Sequence, residues 1–185
     1  WHKSYDTTDD IFYLNTNNAK QSNNDGINSV QDTTFTATAN TGFIANNEDI
    51  IAYCWHEVKG YSKIGKYTGN GAADGAFIYT GFKPSFVLIK RADGTSQNWM
   101  ILDNKRSEFN AITKILNPNL VDGEENNTAY NTDFLSNGFK HRGTNGNLNT
   151  SGGNYIYMAF ADAPIVGTNN VHANARKNMS EVKTD

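Results

Sequence analysis

The residues that could do chemistry are few and scattered. His56-Glu57 sets a base beside an acid. On a strand, however, successive side chains point to opposite faces, so the two would not share one proton; a surface pair is expected. Glu124 and Glu125 sit in the polar run Asp122-Gly-Glu-Glu-Asn-Asn127. Their oxygens suit a hard cation, but the run lacks the ligand alternation of a calcium loop. Asp103 and Asp133 are the acids least unsuited to glycoside hydrolysis, which needs two facing carboxylates about 5 to 9.5 Å apart. Nothing in the sequence pairs them. Cys54, the one cysteine, permits neither an internal disulfide nor a cysteine-rich zinc site. It lies in an apolar run and is expected as a buried small hydrophobe. The tract Tyr67-Thr-Gly-Asn-Gly-Ala-Ala-Asp-Gly75 is followed by neither Lys-Ser/Thr nor a helix pattern, so it reads as a wide turn between strands, not a phosphate loop. There is no Gly-x-Ser-x-Gly elbow and no His-Glu-x-x-His. No catalytic residue, metal ligand or cofactor is therefore assigned. The binding candidates are Tyr61, Tyr67, His141 and Arg142: aromatic rings stack on sugar faces, and cations near the Asn145-Gly146 turn suit sugars or acidic groups. The competing expectation for His141-Arg142 is a solvated strand end.

These groups need a scaffold, and composition points to its class. The 185 residues carry 16 basic and 19 acidic side chains, a formal net charge of -3, with 37% hydrophobic, 12% aromatic and 19% charged residues. That is enough for one or two ordinary domains and argues against global disorder. No apolar run approaches the roughly 20 residues of a membrane helix, so no membrane insertion is expected. The mild acidity argues against nucleic acid as a partner. The sequence does not begin with Met, which suggests processing or a portion of a longer protein.

There are 27 Asn, 16 Gly and 18 Thr but 3 Pro. Asp-Gly or Asn-Gly occurs at Asp25, Asn70, Asp74, Asp93, Asp122, Asn137 and Asn145. Such dipeptides suit the tight turns that join antiparallel strands, so an all-β protein with many hairpins is expected. Pro84–Arg91 is the clearest strand, its continuous apolar run suited to cover on both faces or to an edge of a sandwich core. Its hairpin partner is Asn98–Leu102. Further strands are expected at Phe35–Ala39, Ile50–Val58, Ala76–Tyr79, Thr132–Leu135, Gly138–Arg142 and Tyr155–Phe160. Ser107–Leu116 has near-helical spacing at Phe109, Ile112 and Leu116, so a short helix competes there with a strand that carries a bend; the repeat described next favours the strand.

The two halves echo one another. Ile50–Trp55 aligns with Tyr155–Phe160, Tyr13–Asn17 with Ile115–Asn119, and Trp1 with Trp99, at offsets of 105, 102 and 98. Tandem units follow: 1–58 as the C-terminal part of a first β-sandwich, 59–165 as a complete second one, and 166–185 as a polar tail with a candidate short helix at 171–183. The first unit would leave an open sheet edge.

Several stretches together carry a family resemblance: Ile51-Ala-Tyr-Cys-Trp-His-Glu-Val58, Gly60-Tyr-Ser-Lys-Ile-Gly65, Gly81-Phe-Lys-Pro-Ser-Phe-Val-Leu-Ile-Lys-Arg91, Phe134-Leu-Ser-Asn-Gly-Phe-Lys140 and Ser151-Gly-Gly-Asn-Tyr-Ile-Tyr-Met-Ala-Phe-Ala161. The chain resembles repeated β-sandwich domains of tailed-bacteriophage virion proteins. Those domains often follow concanavalin-A or SPRY-type lectin sandwiches in tail-fibre-like proteins. The resemblance implies an antiparallel jelly-roll or concanavalin-A-like sandwich. It also implies a non-enzymatic role on the particle surface, as a tail fibre or appendage with host-receptor contact. Capsid decoration or head fibre is the first alternative, and a carbohydrate-binding module the second. Expected partners are other virion subunits, copies of itself and a host surface glycan. The resemblance brings no established site residues.

Overall fold

The computed structural model describes residues 2–5, 10–22, 27–31, 33–37, 49, 51–94 and 97–163. Trp1, Ile50 and the tail 166–185, with its candidate helix, lie outside the described residues. Among the described residues thirteen strands run in chain order: β1 (Asp10–Ile11), β2 (Gln21–Ser22), β3 (Ile27–Val30), β4 (Phe35–Ala37), β5 (Ser62–Thr68), β6 (Phe77–Tyr79), β7 (Phe86–Arg91), β8 (Met100–Asp103), β9 (Lys114–Leu116), β10 (Glu125–Asn126), β11 (Thr132–Leu135), β12 (Gly138–His141) and β13 (Asn154–Phe160). The one helical turn among the described residues is Thr128–Tyr130, whose N-cap Asn127 accepts from the Ala129 N–H. All strand pairs among the described residues are antiparallel. The expectation of an all-β chain rich in hairpins holds.

Two sheets make the body. A six-stranded sheet runs β10-β9-β8-β7-β13-β5 and a three-stranded one β11-β12-β6. Their facing sides share one core, consistent with a β-sandwich. Val87 and Ile89 of β7, Met100 and Leu102 of β8, and Tyr155, Tyr157 and Ala159 of β13 meet Ile78 of β6, Phe134 of β11 and Phe139 of β12. The expected β7–β8 hairpin forms with Leu88 opposite Ile101. The β11–β12 hairpin turns on Ser136-Asn137, with Leu135 opposite Gly138. Glycine is required at 138 because a Cβ there would run into the Ile78 carbonyl and the Phe77 ring. β13 is the spine, paired along its length with β5 on one side and β7 on the other.

The outer face of the large sheet is also apolar, and the chain's first part packs on it. Phe12 and Leu14 lie beside Phe86 and Leu88 of β7, the Lys20 N–H donates to the Ala92 carbonyl at 3.0 Å, and Trp99 Nε1 donates to the Tyr13 carbonyl at 2.8 Å. Of the two readings that the continuous run in β7 allowed, cover on both faces is the one found.

Several expectations change. Residues 51–57 form no strand; only Val58 bridges, to Ser62. Among the described residues no backbone–backbone hydrogen bond involves 51–57. The run has strand composition but no strand beside it, so Cys54 is exposed, not buried. The aligned patch Tyr155–Phe160, by contrast, lies in β13. Ser107–Leu116 does keep the expected bend and strand and forms no helix: 107–111 bend, Ile112 bridges to Thr132, and Lys114–Leu116 is a strand.

Candidate functional site

The asparagines do more than turn the chain. Asn110 lies alongside β11, its Nδ2 donating to the Phe134 carbonyl at 3.0 Å and its Oδ1 accepting the Phe134 N–H at 2.8 Å. One side chain thus stands in for a neighbouring strand. Asn149, wholly buried, ties down the glycine-rich tract 67–75: its Oδ1 accepts the Asn70 N–H and its Nδ2 donates to the Ala72 carbonyl, both at 2.9 Å. The tract is the expected wide turn, between β5 and β6.

The four binding candidates separate. Tyr67 and His141 come together, but inside the protein. His141 Nε2 lies 3.0 Å from Tyr67 Oη, and Nδ1 lies 3.0 Å from Thr132 Oγ1. Tyr67 Oη in turn donates to the Leu148 carbonyl at 2.8 Å, and Thr132 Oγ1 to the Tyr130 carbonyl at 3.0 Å. A neutral imidazole leaves three hydrogens for these four contacts, so while both hydroxyls donate to carbonyls only one ring nitrogen of His141 donates. Burial drives the His141 pKa down to about 3 and raises that of Tyr67. Tyr67 also stacks on Tyr155 at 4.8 Å and 8°. The group is a polar bolt between β5 and β12, closed to a sugar, so His141 is no solvated strand end.

Arg142, half-exposed, is spent on Asp133 at 2.7 Å and Asp74 at 3.2 Å. Tyr61 sits beyond the start of β5, edge-on to Phe160 at 6.2 Å. The two weighed acids are apart in role. Asp103 binds the Lys105 and Arg106 N–H groups and the Arg106 guanidinium at 2.6 Å, while Asp133 serves Arg142. Glu124 pairs with Lys114 at 3.1 Å, and Glu125 accepts from Tyr130 Oη at 3.1 Å. Among the described residues no three His, Cys, Asp or Glu side chains converge to hold a metal.

Two features escaped sequence reasoning. The first is Lys90, fully buried on the outer face of the large sheet. Its Nζ donates to the carbonyls of Gln97 (2.7 Å), Arg91 (3.1 Å) and Asn17 (3.3 Å). Burial lowers its pKa to about 8, with the Arg91 charge adding a little. While protonated, its three hydrogens are committed, which makes it a structural post. The available signal was the adjacent pair Lys90-Arg91 at the end of the apolar run of β7, whose side chains must point to opposite faces.

The second is a groove of about 430 Å³ on the same face. Phe86 and Leu88 of β7 and Met158 and Phe160 of β13 form its floor, with Phe12, Leu14, Trp99 and Trp55 at its sides. Register explains the floor, since Leu88 faces Met158 and Phe86 faces Phe160 across the pair. The Trp99 indole N–H is already used by Tyr13. Such a surface suits apolar or aromatic groups better than sugar hydroxyls. The alternating apolar residues of β7 and β13 were visible in the sequence. What shapes the groove is the packing of distant segments, which no local pattern encodes.

A family model described as "Domain of unknown function (DUF7483)" matches residues 1–164. The chain belongs to the DUF7483 family. The match runs unbroken through the N-terminal segment, the two sheets and β13, so the DUF7483 domain holds both the bolt and the groove. No curated protein and no solved structure matches the chain.

Proposed function

We propose that this DUF7483 chain is a non-catalytic structural module of a tailed-bacteriophage virion, built into a tail fibre or other surface appendage and associating with copies of itself. The observation that carries the assembly role is the free margin of the smaller sheet. β6 is its edge strand, and it presents Phe77 and Tyr79 to solvent, 45% and 64% exposed. Proteins that work alone usually blunt such edges with charge, proline or a bulge, and exposed apolar groups at an edge mark association. The two sheets around one core support the concanavalin-A-like class implied by the phage resemblance, and the proposal does not need the internal duplication. The placement on a virion rests on the resemblance in the stretches quoted from Ile51 to Ala161.

Two measurements test the reading. Light scattering of the purified chain is expected to show a closed symmetric oligomer that Tyr79→Lys dissociates. A strictly monomeric chain at high concentration would overturn assembly. Immunogold labelling of purified particles is expected to mark the tail. Label on the capsid would select the decoration alternative, and unlabelled particles would overturn virion membership.

A further inference from the structure

Residues 51–57 and the outer margin of β5 are two halves of a hairpin that has started and stopped. At its root Val58 and Ser62 exchange both backbone bonds, at 3.2 and 2.9 Å, around a turn whose Gly60 has φ +77. That exchange fixes the register. The pairs that follow are Glu57 with Lys63, His56 with Ile64, Trp55 with Gly65 and Cys54 with Lys66. By the alternation of an antiparallel ladder, the outward groups of β5 belong to Ser62, Ile64, Lys66 and Thr68. Ser62 is met by Val58, but the Ile64 N–H is taken by a side chain, Glu57 Oε1 at 3.1 Å. That carboxylate is held in place by Lys3 at 2.8 Å and Lys63 at 3.1 Å. Beyond it, the outward backbone groups of Lys66 and Thr68 meet no backbone partner among the described residues. Across the gap, Ile51, Tyr53 and Trp55 are 82%, 74% and 57% exposed.

We propose that residues 51–57 are a strap that closes onto β5 as a seventh strand of the large sheet, with Glu57 as the latch that holds it open. The occupant of the open edge is thus this chain's own segment. The turn is already made and the register already set, so closure costs little further chain entropy. Closure also moves Trp55. In the open arrangement it borders the groove beside Phe160. In the closed register it stands opposite Gly65, which pairs with Tyr157, on the face of the sheet away from the groove floor. Closing the strap therefore uncovers the groove, and the groove's access is set by the strap. This holds wherever the chain sits on a particle, so its failure leaves the assembly proposal standing.

The test uses the native cysteine. In Lys66→Cys, mild oxidation with oxidised glutathione is expected to link Cys54 to position 66 within one chain. The reaction should run about tenfold faster than in Thr68→Cys, whose partner in this register is Ala52, because a disulfide needs the right Cα separation. Glu57→Gln in the same background should speed it about fivefold, the effect of losing a charge-assisted bond. Links formed only between chains, or equal rates at 66 and 68, would overturn the strap. Should Lys66→Cys fail to fold, amide exchange of the wild-type chain decides. Closure predicts slower exchange at Ala52, Cys54 and His56 than at Tyr53 and Trp55, and uniform fast exchange from 52 to 56 would overturn it.

Discussion

Tyr155–Phe160 and Ile51–Trp55 are built from the same kinds of residue, yet the first lies between two strands and the second beside none. Each residue of the β13 segment has a partner in β5 and another in β7, and its Tyr155, Tyr157 and Ala159 reach the shared core. The Tyr53 ring stacks on Trp55 at 6.2 Å and 28°, and Trp55 only borders the groove. β propensity therefore describes fitness for a pleated, half-buried surface and does not create that surface. Neighbours on both sides turn an aromatic run into a spine; without them the same run is an exposed ribbon.

The sharpest way to break this comparison is to truncate one ring on each side. Tyr157 packs edge-on to Phe139 at 5.4 Å and is buried. Tyr157→Ala is expected to lower unfolding free energy by about 4 kcal/mol, through lost burial plus the cavity left behind. Urea denaturation measures it, and a loss under about 1 kcal/mol would mean that β13 is not the spine.

The buried side also carries an acid sensitivity. His141 holds Tyr67, and Tyr67 stacks on Tyr155 of β13. Burial sets the folded pKa of His141 near 3 against an ordinary 6.5. Between those values the unfolded chain binds more protons, so stability is full above 6.5 and falls as pH falls. From pH 6.5 to 4 the loss is expected to be about 3 kcal/mol from this ring. His2, lowered to about 4 chiefly by burial, adds in the same direction. Urea midpoints across that range should fall less steeply in His141→Gln than in the wild type. An unchanged slope would place the acid sensitivity elsewhere.

Much of the scaffold was legible because local pattern and tertiary outcome agree. β7 is a continuous apolar run after Pro84, β11 and β12 flank a polar turn, and β13 is dense in aromatics. β5 was not legible as a strand, since Lys63, Gly65 and Lys66 interrupt its pattern, as befits an edge. The Ile50–Val58 strand was over-read because composition says nothing about whether a neighbour arrives. Tyr67 and His141 stand out chemically in the sequence, but as surface groups. Their burial depends on two sheets closing over them, and no spacing along the chain records that. The groove was missed because its lining comes from residues as far apart as Phe12 and Phe160.

Asn110 offers a finer probe of what a neighbour is worth, because one amide replaces a strand beside Phe134. Asn110→Ala leaves the Phe134 N–H and carbonyl without that amide, and Phe134 is buried. A cost of about 2 kcal/mol is expected for the unmet groups. Asn110→Asp should lose nearly as much, since it keeps the acceptor for the N–H but places no donor on the carbonyl. If both variants match the wild type in urea, the amide is not acting as a surrogate strand.

The smallest effect is expected on the exposed side, and its smallness is informative. Tyr53→Ser removes a ring that is mostly in solvent, so unfolding free energy should change by less than about 0.5 kcal/mol. The same substitution at Tyr157 would be severe, although both rings sit in runs of matching composition. If the strap spends much of its time closed, Tyr53 lies opposite Tyr67 in the hairpin register and the variant becomes measurably costly. The control is Phe109→Ser, which removes a similarly exposed ring from a distant turn. A loss near about 1 kcal/mol in Tyr53→Ser, with none in the control, would count the strap as a real strand. A loss indistinguishable from that of Phe109→Ser would mark residues 51–57 as open ribbon.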